Sequence, residues 1–142
     1  MMDNLQLAQA CARNMMAGDK ASRALGIEVQ ITTVGQASAT MRVREDMLNG
    51  FKLCHGGLVF TLADTAFAFA CNAYDDLCVA GSGHIEFLLP AHLGDSLTAA
   101  AREGQRTGRQ GYYTVEVRNQ HGNLVALFHG RSVSRGQPIL VD

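Results

Sequence analysis

The chain has no cysteine pair at zinc-finger spacing, no block of like charge and no proline-rich or serine-rich linker, and each absence removes a class of protein. Its four cysteines, Cys11, Cys54, Cys71 and Cys78, stand at irregular intervals without clustered histidines. That pattern argues against a zinc site and against a disulfide framework, so reduced thiols and no bound metal are expected. Twelve Lys and Arg against thirteen Asp and Glu leave a formal net charge of -1. With no basic helix either, nucleic acid is a poor partner. Only two prolines occur in 142 residues, and no internal repeat is visible. A single domain spanning 1–142 is therefore expected. Asp3 and Asn4 precede an alanine-rich stretch carrying Arg13. This lacks the basic start and apolar run of an export signal, and a cytoplasmic location is expected.

What is present describes a folded chain with a real core: 47% of residues are hydrophobic and 18% charged. Such a balance is that of a soluble globular protein rather than a disordered one. Asp3 can cap a first helix running to about Ala17, with Leu5, Ala8, Ala12, Met15 and Met16 as its apolar stripe and Gly18 as its stop. Ile27 to Val34 and Ala37 to Val43 read as two strands joined at Gly35-Gln36, because Ala37, Ala39, Met41 and Val43 alternate with polar neighbours. Gly57 to Tyr74 shows no such alternation and is rich in alanine, which predicts a helix of about five turns, apolar nearly all round. Four further strands are centred near Val79 to Leu89, Asp95 to Arg106, Gly111 to Asn119 and Leu124 to Ser134, separated by clear turn signals. The order implies an α+β architecture in which an antiparallel sheet of five to six strands wraps around the long helix, with an extra N-terminal helix.

Inside that helix, Asp64 is the only formally charged side chain between Lys52 and Asp75. A membrane span is rejected, since the helix is barely long enough and a central Asp costs about 2.5 to 3.5 kcal/mol on insertion. In a soluble core an ionised carboxylate is costly unless it is paired, so its presence points to use. The helix begins near Gly56-Gly57, where unpaired N–H groups and the positive end of the dipole meet an open approach, the makings of an oxyanion hole. Gly57 and Asp64 are seven residues apart, hence on one helix face but roughly 10 Å apart along the axis. One carbonyl group is thus best reached by Asp64 of one subunit and the helix N-terminus of another, across a two-fold axis.

Met47-Leu-Asn49-Gly, Cys54-His55-Gly56-Gly57 and Leu62-Ala-Asp64-Thr65-Ala-Phe-Ala, together with Ile85-Glu-Phe-Leu-Leu-Pro90 and Val125-Ala-Leu-Phe128, resemble the hot-dog acyl-coenzyme A thioesterases of the PaaI type. The likeness covers nearly the whole chain and is specific in the spacing of Asn49, His55, Gly57 and Asp64. It implies hydrolysis of aryl-acetyl coenzyme A thioesters, of phenylacetyl or hydroxyphenylacetyl type, in phenylacetate degradation. It implies no cofactor beyond the coenzyme A of the substrate, and a site shared across a dimer within a tetramer. By the same resemblance Asp64 is the catalytic carboxylate, either nucleophile or general base on water, and the Gly57 N–H polarises the thioester carbonyl. Asn49 and His55 complete the catalytic group.

Each of these residues also has a plainer reading. Asn49 can merely shape a turn instead of holding the nucleophilic water or the carboxylate, and His55 can merely cap backbone groups at the helix entry instead of bonding near the thioester sulfur or positioning Asn49. Thr65 can bond its own backbone; with Gly56 it is a candidate for substrate contact. Strand alternation puts Ala80, Ser82, His84 and Glu86 on one face, which makes Ser82 a candidate if that face turns to the site. Arg102, Arg106, Arg109, Arg131 and Arg135 can supply cations to coenzyme A phosphates, whereas Phe51, Phe60, Phe67, Tyr112 and Tyr113 read as core rather than acyl-pocket wall. Two other functions compete: a non-catalytic acyl-coenzyme A binding or sensing module, and an acyl-thioester dehydratase or hydratase. The latter needs a histidine paired with an acid along the acyl chain, unlike the arrangement here.

Overall fold

Asp3 opens the first helix with a reciprocal cap. Its Oδ1 accepts from Gln6 N at 2.8 Å, while Asp3 N donates to Gln6 Oε1 at 3.0 Å, so two otherwise orphaned donors are satisfied. In this computed structural model, which describes residues 1–141, α1 spans Asn4–Gly18. A second helix, α2 (Lys20–Ala24), follows at once; it is absent from the expectation above. Asp19 starts it by accepting from both Ser22 N and Ser22 Oγ.

Six strands form one antiparallel sheet: β1 Glu28–Gln30, β2 Gln36–Arg42, β3 Cys78–Phe87, β4 Ser96–Thr107, β5 Gln110–Arg118 and β6 Leu124–Ser134, in the order β1-β2-β4-β5-β6-β3. The first strand is shorter than the run Ile27 to Val34 because the chain leaves the sheet at Ile31 and turns, with Gln36 N donating to Thr33 O and Gly35 at φ 80°. Gln36 therefore begins β2 instead of completing the turn. Small residues meet at the β2–β4 pairing, Ala37 opposite Ala101 and Ala39 opposite Ala99, which lets the sheet curve closely around what lies inside it.

What lies inside is α3, Gly56–Cys71, in contact with β2 to β6. From Leu62 onward only Asp64 and Ala68 escape full burial. Phe67 packs against Tyr113 and Phe128 at ring-centroid distances of 5.5 and 5.7 Å, and Phe60 meets Phe128 edge-on at 5.3 Å. Such aromatic pairs contribute about 0.5–1.5 kcal/mol each beyond their area. The helix stops at Cys71, short of the predicted Tyr74, because Asn72 closes it. Its buried Nδ2 donates to Ala68 O and Cys78 O, and its Oδ1 accepts from Cys78 N. One side chain thereby fastens the end of α3 to the start of β3.

This is the hot-dog arrangement, a sheet wrapped around a central helix with an added N-terminal helix. Among the described residues no helix is long and apolar enough to cross a membrane. Two details depart from the sequence pattern. Phe51 and Tyr112, read as core, are exposed. The alternation along β3 is broken at Gly81, where Ala80 pairs with Ser132 but Ser82 pairs with Arg131. This bulge inserts one residue and flips the faces. Ala80 lies on the inner side with buried Ser132, while Ser82, His84 and Glu86 lie with Arg131, His129 and Leu127 on the outer side.

Candidate active site

The segment leading into α3 is held before the helix begins. Glu45–Met47 form a short 3-10 turn, and from there His55 N reaches back to Met47 O at 2.8 Å while Cys54 N donates to Ala91 O at 2.8 Å. Between them, Asn49 ties a small loop. Its Oδ1 accepts from Phe51 N at 2.9 Å and Leu53 N at 3.1 Å, and its own N–H donates to Leu53 O at 2.7 Å. Lys52 sits at φ 62° in the turn. The shaping role is thus a fact of the structure, and it uses only the oxygen of the amide. Among the described residues, Asn49 Nδ2 makes no hydrogen bond.

His55 is the residue before the helix, and its Nδ1 accepts from Gly57 N at 3.2 Å. A ring nitrogen that accepts carries no proton, so the neutral ring bears its hydrogen on Nε2, which leaves that N–H free to donate outward. His55 makes no bond to Asn49, so it caps the helix rather than positioning the asparagine. The Gly57 N–H, expected to face the substrate, is engaged with that histidine, and the N–H of Gly56 has no partner among the described residues. The helix end therefore offers one ready donor and a second that a substrate oxygen must take from His55. Both belong to the positive end of a sixteen-residue helix.

Asp64 stands seven residues on, with Gly57, Thr61 and Ala68, along the one stripe of α3 left uncovered. Thr61 Oγ1 turns back to Gly57 O at 2.8 Å, and Asp64 makes no hydrogen bond among the described residues. Burial without a partner disfavours the charged form, and its carboxyl is pushed above the ordinary carboxylate range by desolvation. A half-buried carboxylate that no hydrogen bond among the described residues stabilises is poised to accept a proton or attack a carbon.

Thr65 lies off this stripe. Its hydroxyl donates to Thr61 O at 2.7 Å and shares a hydrogen bond with Ser22 Oγ at 3.4 Å, tying α3 to α2. Ser82 is on the outer side of the sheet, away from the helix. The arginines are dispersed. Arg106 stacks on Tyr74 at 3.7 Å, Arg109 donates to Ser134 O at 3.0 Å and Arg131 lies across Gly81, while Arg102 and Arg135 are exposed. None lines the cleft beside the helix N-terminus. That cleft, about 270 Å³, is walled by Asn49, Leu53, Gly56, Val59 and the run Phe87 to Ala91. Phe87 is not among the residues that the sequence motifs point to as a site. The one signal was a continuous apolar stretch, Phe87-Leu-Leu-Pro90, where a strand is due to end.

A family model described as the thioesterase superfamily matches residues 51–126, the stretch that holds the α3 N-terminus, Asp64 and the Phe87 wall. Acyl-coenzyme A thioesterase PaaI of Escherichia coli is 45% identical over 121 residues, covering 85% of this chain and 86% of the relative. A solved structure of the E. coli PaaI protein from the phenylacetic acid degradation operon aligns with a TM-score of 0.93 at 41% identity, over 96% of this chain and 99% of that one. A variant of the phenylacetic acid degradation protein PaaI from Thermus thermophilus aligns with a TM-score of 0.77 at 36% identity, over 81% and 98% of the two chains. The agreement of fold, motif spacing and sequence establishes that the chain belongs to the thioesterase superfamily, with the hot-dog enzymes of PaaI type, and is a thioester hydrolase.

Proposed function

We propose that the protein hydrolyses aryl-acetyl coenzyme A thioesters, of phenylacetyl or hydroxyphenylacetyl type, to the free acid and coenzyme A, and that it serves phenylacetate degradation in the cytoplasm. The observation that carries the chemistry is Asp64: half-buried, unpaired in its own subunit and on the same open stripe as the helix N-terminus. The likeness to PaaI relatives supports the acyl group and the pathway. The chain acts as one domain and needs no cofactor, because carboxylate, helix N–H groups and water suffice for thioester hydrolysis.

The site is completed by a second copy. β3 pairs only with β6, so its other edge is free along the sheet margin, and Val79 to His84 are exposed throughout. A long free edge of this kind invites another strand. Pairing two β3 strands about a two-fold axis sets the uncovered stripes of two α3 helices side by side, Asp64 of each opposite the N-terminus of the other. Dimers of this kind then assemble as a tetramer.

In the reaction, the thioester carbonyl accepts from the Gly56 and Gly57 N–H groups, the latter exchanging His55 Nδ1 for the substrate oxygen. Negative charge growing on that oxygen meets the helix dipole, a term worth about 3 to 4 kcal/mol per well-placed donor. Two routes are open to Asp64 of the opposing subunit. It attacks the carbonyl carbon to give a mixed anhydride, or it takes a proton from the water that does so. In both, the carbon–sulfur bond breaks and the thiolate of coenzyme A leaves, accepting a hydrogen bond from His55 Nε2–H and a proton from solvent; in the first, water then hydrolyses the anhydride to the free acid and restores the Asp64 carboxylate. In this reading Asn49 Nδ2, which has no hydrogen bond among the described residues, donates to the attacking water or to the carboxylate. The test is a hydrolysis series over phenylacetyl, hydroxyphenylacetyl, benzoyl and straight-chain coenzyme A thioesters. The first two should show the highest kcat/KM; a clear preference for straight chains overturns the aryl-acetyl reading.

A further inference from the structure

The acyl group needs a compartment beside the donors, and the structure offers one with an aromatic wall. Phe87 ends β3 and pairs with Ala126, a fully buried inner-face residue, so its side chain is on the helix side of the sheet. Its ring tip reaches the start of α3: a Cβ at Gly56 would stand 3.2 Å from Phe87 Cζ and 3.4 Å from Cε1. A side chain at position 56 would press on the ring tip, and glycine leaves it room. Because the tip touches Gly56, the ring faces are turned sideways, and Phe87 is still 55% exposed despite the contact. A large apolar ring left half open at the rim of a cleft whose other walls are Leu53, Val59 and Leu88 to Ala91 has surface to cover with a ligand group.

We infer that Phe87 is a specificity-determining residue, whose ring face stacks on the aryl part of the acyl group while Gly56, beneath its tip, donates to the thioester carbonyl. The inference rests on the acyl-coenzyme A thioesterase reading. Within one chain the cleft holds about 270 Å³, room for a compact acyl group. An aromatic face favours a flat ring over an alkyl chain by an amount equal to about twofold to tenfold in binding. Phe87 carries no titratable group, so it acts on recognition rather than on the acid–base chemistry.

The test compares the full-length protein with Phe87→Ala and Phe87→Tyr on phenylacetyl-coenzyme A and octanoyl-coenzyme A. Phe87→Ala should lower kcat/KM for the aryl thioester about tenfold, chiefly through KM, and change the octanoyl value less than twofold. Phe87→Tyr should restore the aryl preference, and the acid limb of the pH profile should not move in either variant. The two substrates falling together, or a ratio unchanged within about twofold, overturns the inference. A binding arm separates this outcome from failure of the functional reading: on an Asp64→Asn background, the ratio of the two Kd values should move with Phe87→Ala by the same factor. A shifted Kd ratio, when the protein with Asp64 intact hydrolyses neither thioester, upholds the role of Phe87 and overturns the thioesterase substrate class. An unshifted Kd ratio overturns the role of Phe87 whatever the turnover.

Discussion

Replacing Asp64 by Asn separates chemistry from folding, because the two effects have opposite signs. The substitution keeps the shape of the side chain, and Asp64 has no hydrogen-bond partner in its subunit to be orphaned, so no structural cost is expected. Loss of a carboxylate acting as general base removes about 10²- to 10⁴-fold in kcat, or about 3 to 5.5 kcal/mol of barrier; a nucleophile lost outright gives at least the upper end. Stability moves the other way. Burial raises the carboxyl pKa in the folded state, whereas the unfolded chain releases that proton at ordinary acidity. Between those two values the folded state binds more protons, so stability falls as pH rises through that window and stays lowered at neutral pH. Asparagine carries no charge and escapes the penalty. Thioester hydrolysis followed by released thiol, with thermal denaturation at pH 7 and pH 4, measures both. The expected result is turnover down by at least two orders of magnitude, a higher Tm than the parent at pH 7 and a smaller gap at pH 4. The parent's activity should fall on acidification above the ordinary carboxylate range, since protonation of Asp64 silences it. Turnover within tenfold of the parent refutes the catalytic role, and a lower Tm at pH 7 shows that the helix N-terminus of the other subunit outweighs the burial.

Two more substitutions probe the surroundings of the site. Asn49→Asp keeps the Oδ1 acceptor that holds Phe51 N and Leu53 N but removes the amide donor, whereas Asn49→Ala removes both. If Nδ2 serves the reaction, both variants lose kcat while only Asn49→Ala also loses thermal stability; equal activity of Asn49→Asp and parent shows that the loop bonds are the whole role. Asn72→Ala strips the clamp between α3 and β3 and leaves the part-buried Cys78 N–H without its partner, while Ala68 O keeps the backbone N–H of residue 72, a cost of about 1 to 3 kcal/mol. Chemical denaturation should read that loss, and an unchanged midpoint contradicts it.

The strands and the long helix were legible because their patterns are strong. Ala37 to Val43 alternates cleanly, and Gly57 onward cannot alternate with so many adjacent apolar residues. Legibility failed where a single side chain or one inserted residue decides the matter. Ala73 and Tyr74 look like more helix, yet Asn72 ends α3 with bonds to a strand that begins six residues later. Gly81 looks like one more strand residue, yet it is a bulge that turns Ser82 outward. The five-residue α2 is too short for a periodic signal, although Asp19 with Ser22 three residues on is a start signal in its own right. Within the site, the shared stripe of Gly57 and Asp64 follows from helical geometry alone. The bond from Gly57 N to His55 Nδ1 does not, since it depends on a ring rotamer, and the Phe87 wall depends on where the far end of β3 meets the near end of α3. That meeting is a property of the sheet order, which places β3 beyond β6 and which no local pattern encodes.

The central claim is that Asp64 of one subunit works with the helix N-terminus of another, and subunit mixing tests it directly. Gly57→Pro removes the Gly57 N–H, crowds that of Gly56 and is tolerated by the first turn of a helix. Paired with Asp64→Asn, it gives two inactive parents, each keeping the half that the other lacks. When equal amounts are refolded together, half the dimers are mixed and each mixed dimer holds one complete site of two, so about one quarter of the parent activity should return. A mixture no more active than the sum of the two variants contradicts the account and places the whole reaction within one chain.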